Sequence, residues 1–255
     1  MRKILFYSLI LFTTISCEDN IEYIEVVSIE EVEGACECEC NEFPDNGLVA
    51  WYPFNNTLYD ESGNGNDLMN SEIEFVQDRY ETQESSVYFD GMGINLFTEN
   101  DITQYLPPTS QTISFWFQNK SSNYRSIFAL GNEDSARLVI TPNTYDNLIS
   151  IQGGENGCLS CTGNGGYINT EAEDLNEGWH HMVYIIDAQN INIWYDGGLL
   201  LSSSHQGFNC SSEDFKLYLG NDIVCGSEYY EMYMDDVGLW DRVLTEQEIQ
   251  YLYNN

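Results

Sequence analysis

Positive charge is nearly missing from this sequence. Eight Lys and Arg stand against 42 Asp and Glu over 255 residues, a net of −34 at neutral pH. A field of that sign repels phosphate, so nucleic acid and anionic membrane surfaces are excluded as partners. It attracts divalent cations instead. Histidine is equally scarce: His180, His181 and His205 are the whole set, and the first two sit in one alternating run. Alternation puts His180, Met182 and Tyr184 on one strand face and His181, Val183 and Ile185 on the other, so a hydrogen-bonded scaffold role fits them better than catalysis. No apolar run approaches the roughly 20 residues that a membrane-spanning helix needs. Helical periodicity is absent before Thr245, and proline is rare. Short runs rich in Tyr, Phe, Trp, Ile and Val recur between Gly/Asn/Asp turns, which is the pattern of an all-β chain.

The beginning of the chain has a different character. Arg2 and Lys3 precede the apolar stretch Ile4–Ile15, which has the length of a secretory leader rather than of a span. Thr14-Ile15-Ser16-Cys17 resembles a bacterial lipobox, with Cys17 the lipidated first residue after a 1–16 signal peptide. Removal of that leader leaves 6 bases against 42 acids, a net of −36. Residues 17–46 are expected to form an acidic, extended tether, because positions 18–46 hold 11 Asp and Glu and no Lys or Arg. Glu18-Asp19-Asn20 resembles the surface-export signals of Bacteroidota lipoproteins. The expected location is therefore outside the cell, lipid-anchored to the outer membrane, with the membrane touched only through the anchor.

Residues 47–255 suffice for one domain, and the last 24 say most about it. Apolar residues alternate through Met232–Trp240, a turn follows at Asp241-Arg242, and the period then becomes helical. Thr245 and Glu248 have the spacing of a capping box, and Leu244, Ile249, Leu252 and Tyr253 form one apolar stripe. This strand-then-capped-helix ending closely resembles that of LamG-like (laminin G type, concanavalin A-like) jelly-roll domains. Further blocks match in the family's order: Gly47–Asn55, Asp60–Asp67, Ser86–Gly91, Gln111–Phe117, and Gly178–Tyr184 followed by Ile193–Gly198. The resemblance implies a two-sheet antiparallel jelly-roll sandwich with a short C-terminal helix. Trp116, Trp179 and Trp194 are expected to share one buried interior.

Exported cysteines should oxidise. Cys158 and Cys161 lie close enough to close a loop on themselves, and Cys210 and Cys225 flank a strand-like segment. Four cysteines allow three connectivities, however, and all three stay open. Cys36, Cys38 and Cys40 fall in the tether, where metal capture and intermolecular pairing are both conceivable.

The fold carries many functions, so chemistry has to be read from sites. The superfamily includes laminarinase-type glycoside hydrolases, whose acids sit on one strand as Glu-x-Asp-x-x-Glu. The nearest match, Glu99, Asp101 and Gln104, ends in an amide that cannot act as an acid. No catalytic residue is assigned, and glycosidase activity is kept as the alternative. A structural Ca²⁺ is expected instead, held by Asp60, Asn66 and Asp235 or Asp236 with carbonyls of the Gly63–Gly65 turn. Val237 and Leu239 suggest that Asp235 points into the sandwich, where a cation or backbone N–H groups must meet it. A turn stabilised by Asx hydrogen bonds alone is the other reading. Glycan binding is the natural role for this architecture, with loop tyrosines as stacking platforms. The candidates are Tyr167, Asn156 and Asn164 in the Gly153–Asn169 loop, with Tyr229 and Tyr230. The expected function is a non-catalytic surface module for a carbohydrate or a surface protein, and a structural or adhesion lipoprotein is a further alternative.

Overall fold

The computed structural model describes residues 42–70, 72–121, 125–143, 146–154, 158–160, 165–205, 210, 214–222 and 228–255. The expectations for the leader, for Cys17 and for Cys36, Cys38 and Cys40 lie outside these residues. The end of the expected tether belongs to the domain. Phe43 sets its ring 4.8 Å from that of Trp51, and Trp240 Nε1 donates to the Pro44 carbonyl. The folded unit thus begins by Phe43 rather than at Gly47.

Strands β1 (Leu48–Tyr52), β2 (Leu68–Met69), β3 (Glu74–Val76), β4 (Ser86–Asp90) and β5 (Leu96–Thr98) precede one 3-10 turn at Thr103–Tyr105. Then come β6 (Gln111–Asn119), β7 (Phe128–Gly131), β8 (Ala136–Asn143), β9 (Leu148–Gly154), β10 (Gly165–Glu171) and β11 (His180–Ile186). The remainder is β12 (Asn190–Tyr195), β13 (Gly198–Ser204), β14 (Lys216–Leu219), β15 (Asn221–Asp222), β16 (Glu228–Tyr229), β17 (Glu231–Trp240) and helix α1 (Glu246–Asn254). An eight-stranded sheet runs β13-β12-β11-β6-β17-β4-β3, with β1 also paired to β17. A seven-stranded sheet runs β10-β9-β8-β7-β14-β5-β2, and β15 and β16 form a small hairpin. Every pairing among the described residues is antiparallel, as a jelly-roll sandwich requires.

The core lies between the sheets and follows from period-2 alternation. Ile113, Phe115 and Phe117 of β6 face Met182 and Tyr184 of β11 and Met232, Met234, Val237 and Leu239 of β17, all in one buried cluster. Each such side chain stabilises the fold by roughly 1.5–3 kcal/mol through burial. β11 is buried at every residue, because its outer face is covered too. Val183 and Ile185 pack there with Trp240, Leu244, Ile249 and Leu252, so α1 forms a third layer on the eight-stranded sheet. Its capping box forms as expected: Thr245 N donates to Glu248 Oε2 at 2.7 Å, and Glu248 N to Thr245 Oγ1 at 3.3 Å. Arg242 hydrogen-bonds the same carboxylate and holds it down to about 2.

This third layer overturns the expectation of a shared tryptophan interior. With Phe115 and Phe117 turned inward, Trp116 must point outward, where it stacks on Tyr253 of α1 with ring centroids 5.7 Å apart. Trp194 packs on the same outer cluster, and Trp179 is half-buried beside Tyr233. The turn between β12 and β13 meets the helix as well. Asp196 and Gly197 both have positive φ, as a type I′ hairpin turn needs, and a Cβ on Gly197 would fall 2.7 Å from the Tyr253 ring.

A bulge in β17 decides where Asp235 goes. Register with β6 shifts between Asp235 and Gly238, and Asp236 takes φ 47° there. The inserted residue reverses the side-chain parity, so Asp235 faces outward although Val237 and Leu239 face in. The inward placement read from the sequence is therefore incorrect. Arg79 meets both acids, with Nη1 2.8 Å from Asp235 Oδ2 and Nη2 2.8 Å from Asp236 Oδ2. Its guanidinium lies 4.5 Å from the ring centroids of Trp116 and Tyr80. Burial and the like charge of Asp236 push the Asp235 carboxyl up, and Arg79 opposes both.

His181 is buried in this layer, 5.0 Å from the Trp116 ring, with Nε2 2.8 Å from Ser114 Oγ. Burial, then the nearby Arg79 charge, lowers its pKa from 6.5 to about 3. The folded protein keeps the ring neutral while the unfolded chain takes up a proton below 6.5. Stability should therefore fall as pH drops through 6.5 and keep falling toward 3, with a slope from this group approaching about 1.4 kcal/mol per pH unit. Urea midpoints of wild type and His181→Gln between pH 7.5 and 4 check this: the variant should lose that part of the slope.

Candidate ligand-binding face

α1 packs on the outer face of the eight-stranded sheet, and among the described residues no helix lies on the outer face of the seven-stranded sheet. Register places one row of residues across it. Tyr167 pairs with Gln152 and Gln152 with Val139, which adjoins Ala129. Tyr218 pairs with Ala129 and with Phe97, and Phe97 with Met69. Both ends of the row are accessible: Tyr167 is 61% exposed and Met69 44%. The middle is covered. Leu159 is buried against Ala129, Ala136, Val139 and Tyr218, and its backbone bonds Ala136 in both directions.

A disulfide fixes that cover. Cys158 pairs with Cys210, 52 residues away, and Arg137 Nε donates to the Cys210 carbonyl at 2.9 Å. Of the three open connectivities, the two local pairings, Cys158–Cys161 and Cys210–Cys225, are thereby replaced by a long-range one. The tertiary fold brings Cys158 and Cys210 together over the sheet, which sequence spacing cannot show. Cys161 and Cys225 lie outside the described residues.

The candidate binding residues part company. Tyr167 is on strand β10 rather than in a loop, because Gly153–Gly154 end β9 and Gly165 begins β10. Its row neighbour Gln152 is half-buried, and Asn169, one turn of the pleat further along, accepts from Ser150 Oγ at 2.6 Å. Tyr229 is half-buried on β16. Tyr230 is no platform: it is fully buried in the core and donates to Asn119 Oδ1 at 2.7 Å. Asn156 and Asn164 lie outside the described residues. Gln152 and Asn169 were missed in the sequence, although their even spacing from Ser150 and Tyr167 carries the signal.

A second concavity, of about 910 Å³, opens at the side of the sandwich and is strongly acidic. Asp146, Glu171, Glu173, Asp174 and Glu177 line it with His180, Tyr195 and Asp196. The last three are tied into the structure. His180 Nδ1 lies 3.0 Å from Asp196 Oδ2 and 2.7 Å from the Tyr195 hydroxyl, while Nε2 lies 2.9 Å from the Asp174 carbonyl. Asp196 Oδ1 accepts from His181 N at 2.9 Å. With both ring nitrogens engaged, His180 acts as a brace, as its place on an alternating strand suggested.

The residues proposed for calcium do not fit that ion as a set. Asp60 Oδ1 accepts from Trp51 N at 3.0 Å and Ser62 N at 2.9 Å, and its Oδ2 from Asn66 N at 3.0 Å. Asn66 Nδ2 donates to the Val49 carbonyl at 2.9 Å, closing an Asx-stabilised turn. Asp235 and Asp236 belong to a separate cluster, where the guanidinium of Arg79 already supplies the cation. Among the described residues no group of three or more His, Cys, Asp or Glu is arranged to hold a metal. The glycosidase-like triplet fails geometrically as well. β5 ends at Thr98, so Glu99 and Asp101 do not share a strand face, and Asp101 Oδ1 caps the 3-10 turn by accepting from Thr103 N at 2.9 Å.

Comparison with known proteins agrees with this architecture. The family model for laminin G type 3 domains, described as Concanavalin A-like lectin/glucanases superfamily, matches residues 80–250. Among solved structures, the botulinum neurotoxin serotype D binding domain superposes with a TM-score of 0.60 at 13% identity, covering 82% of this chain and 52% of that one. The binding domain of botulinum neurotoxin DC in complex with rat synaptotagmin II gives 0.61 at 15% identity, with the same coverages of 82% and 52%. A type C neurotoxin structure, described as entering cells through interaction with two ganglioside molecules, gives 0.63 at 15% identity, covering 82% of this chain and 51% of that one. The chain thus spans about half the length of these structures, and at such identities the likeness is one of fold. No curated protein matches the chain.

Reduction of Cys158–Cys210 tests the cover over the sheet. A loop of 52 residues corresponds to about 4 kcal/mol in the chain-entropy account. Denaturant unfolding with and without reductant should show a loss of that order, and Cys210→Ser should match the reduced protein.

Proposed function

Because the chain belongs to the laminin G type 3 family of the concanavalin A-like superfamily, we propose that it is a non-catalytic binding module whose ligand is a carbohydrate. The observation that carries this reading is Tyr167. A large ring with an apolar face and a polar tip is 61% exposed on a strand, with the amides of Gln152 and Asn169 on the same sheet face. A sugar ring offers what that arrangement selects: C–H groups for the aromatic face and hydroxyls for the amides. The charge balance favours a neutral or cationic glycan over a sulfated or phosphorylated one.

Two observations support the absence of catalysis. His180 and Asp196 are braced to each other and to backbone atoms, and Asp101 is spent on capping a turn. The structural neighbours, one described by its interaction with two ganglioside molecules and another in complex with rat synaptotagmin II, support recognition of glycans or proteins as the kind of task this fold performs. The leader, the lipobox-like Thr14–Cys17 and the disulfide fit an exported lipoprotein displayed on the outer membrane.

Glycan-array screening followed by calorimetry on the whole chain tests the proposal. Tyr167→Ala should weaken binding of the selected glycan about tenfold, a change of about 1.4 kcal/mol, without altering the melting temperature. Unchanged affinity in that variant, or turnover of a polysaccharide by the wild type, would contradict it.

A further inference from the structure

The eight-stranded sheet ends on β13, and among the described residues no strand pairs with its far side. Edge strands are normally guarded by lysine, proline or another charge, since their free N–H and C=O groups invite a further strand. β13 reads Gly-Leu-Leu-Leu-Ser-Ser-Ser, with no charge or proline, so its guard is confined to a bulge at Leu200, and Leu199 is 54% exposed. The opposite edge, β3, begins with exposed Glu74. A register shift against β12 displaces Leu200, so the regular edge is Leu201–Ser204. Leu200 itself lines the acidic concavity, together with Glu171, Glu173, Asp174 and Glu177.

We propose that the open edge of β13 accepts a short extended segment of a partner protein, rich in lysine and arginine, as an added antiparallel strand. Its basic side chains lie over the acidic concavity. The backbone of β13 supplies hydrogen bonds that any extended chain can make, and the neighbouring acids supply the selection. Among the described residues His180 is the only basic group lining the concavity, and its two ring nitrogens are already engaged with Asp196, Tyr195 and the Asp174 carbonyl. Charge also argues against a second copy as the occupant. Each chain carries −34, so two copies repel while a basic segment is drawn in. The two surfaces adjoin on β10, where Glu171 lies four residues from Tyr167, but different substitutions probe them, so the two can fail independently.

The probe is an acetylated eight-residue peptide alternating Lys with Val, titrated against the whole chain by fluorescence anisotropy. Controls are the same peptide with Glu in place of Lys, and one carrying two central prolines. The Lys-Val peptide should bind, the other two at least tenfold more weakly. Glu171→Gln, Glu173→Gln and Glu177→Gln combined should weaken binding at least tenfold, and Ser202→Lys, which guards the edge, should do likewise. Circular dichroism identifies any variant that fails to fold. Amide chemical shifts on wild type keep the test decisive, since they should move along Leu201–Ser204. Equal binding of the proline peptide would reduce the effect to charge alone and overturn strand addition. No binding of the Lys-Val peptide would overturn the proposal outright. Sedimentation showing a dimer that Ser202→Lys dissociates would assign the edge to a second copy and overturn the basic partner.

Discussion

The guanidinium of Arg79 lies 2.8 Å from two carboxylates that the β17 bulge has turned to the same side, with the rings of Trp116 and Tyr80 close to it. Much of the molecule hangs on this arrangement. Without a cation, two neighbouring acids on a mostly covered surface would repel each other and would need water that the helix excludes. With Arg79 in place, the outer face of the eight-stranded sheet can be aromatic and dry. Arg79 Nη2 and the Tyr80 hydroxyl also reach the Asn255 carbonyl, at 3.1 and 3.2 Å, so the segment after β3 is tied to the end of α1.

That cover determines where recognition can occur. A sandwich has two outer faces, and here one is occupied by the protein's own helix. The other is partly closed by Leu159 under the Cys158–Cys210 bridge, which leaves the Tyr167 end and the Phe97–Met69 end open. The acidic concavity lies at the side where the outer strands of the two sheets approach, and Glu171 of β10 brings it next to the Tyr167 end. A glycan-sized surface and a peptide-sized edge thus belong to one scaffold, and both are held on strands.

Local patterns in the sequence made the strands and the closing helix legible, and the family resemblance made the sandwich so. The alternation of Met232–Trp240 and the Thr245–Glu248 box each specify their element through short-range chemistry, and each is found in place. What stayed hidden depends on distant partners or on a change of parity. The bulge at Asp235–Gly238 reverses the facing of Asp235 without any local sign, and Arg79 is separated from Asp235 by 156 positions. Tyr230 looks like a loop aromatic until Asn119, 111 positions away, is seen to accept its hydroxyl proton. Cys158 and Cys210 likewise find each other only across the sheet. Asp60 was legible as a cation ligand or as the acceptor of an Asx turn, and the N–H groups of Trp51, Ser62 and Asn66 match the second reading.

The most direct test of this account is the stability of Arg79→Met, which keeps the bulk of the side chain and removes its charge. Denaturant unfolding at neutral pH should show a loss of about 3–5 kcal/mol, the cost of stranding a buried ion pair. Adding Asp235→Asn and Asp236→Asn should return a large part of it. Hydrogen exchange should show the amides of α1 losing protection before those of β6. A loss below about 0.5 kcal/mol, of the size seen for exposed ion pairs, would contradict the claim that Arg79 holds this layer together.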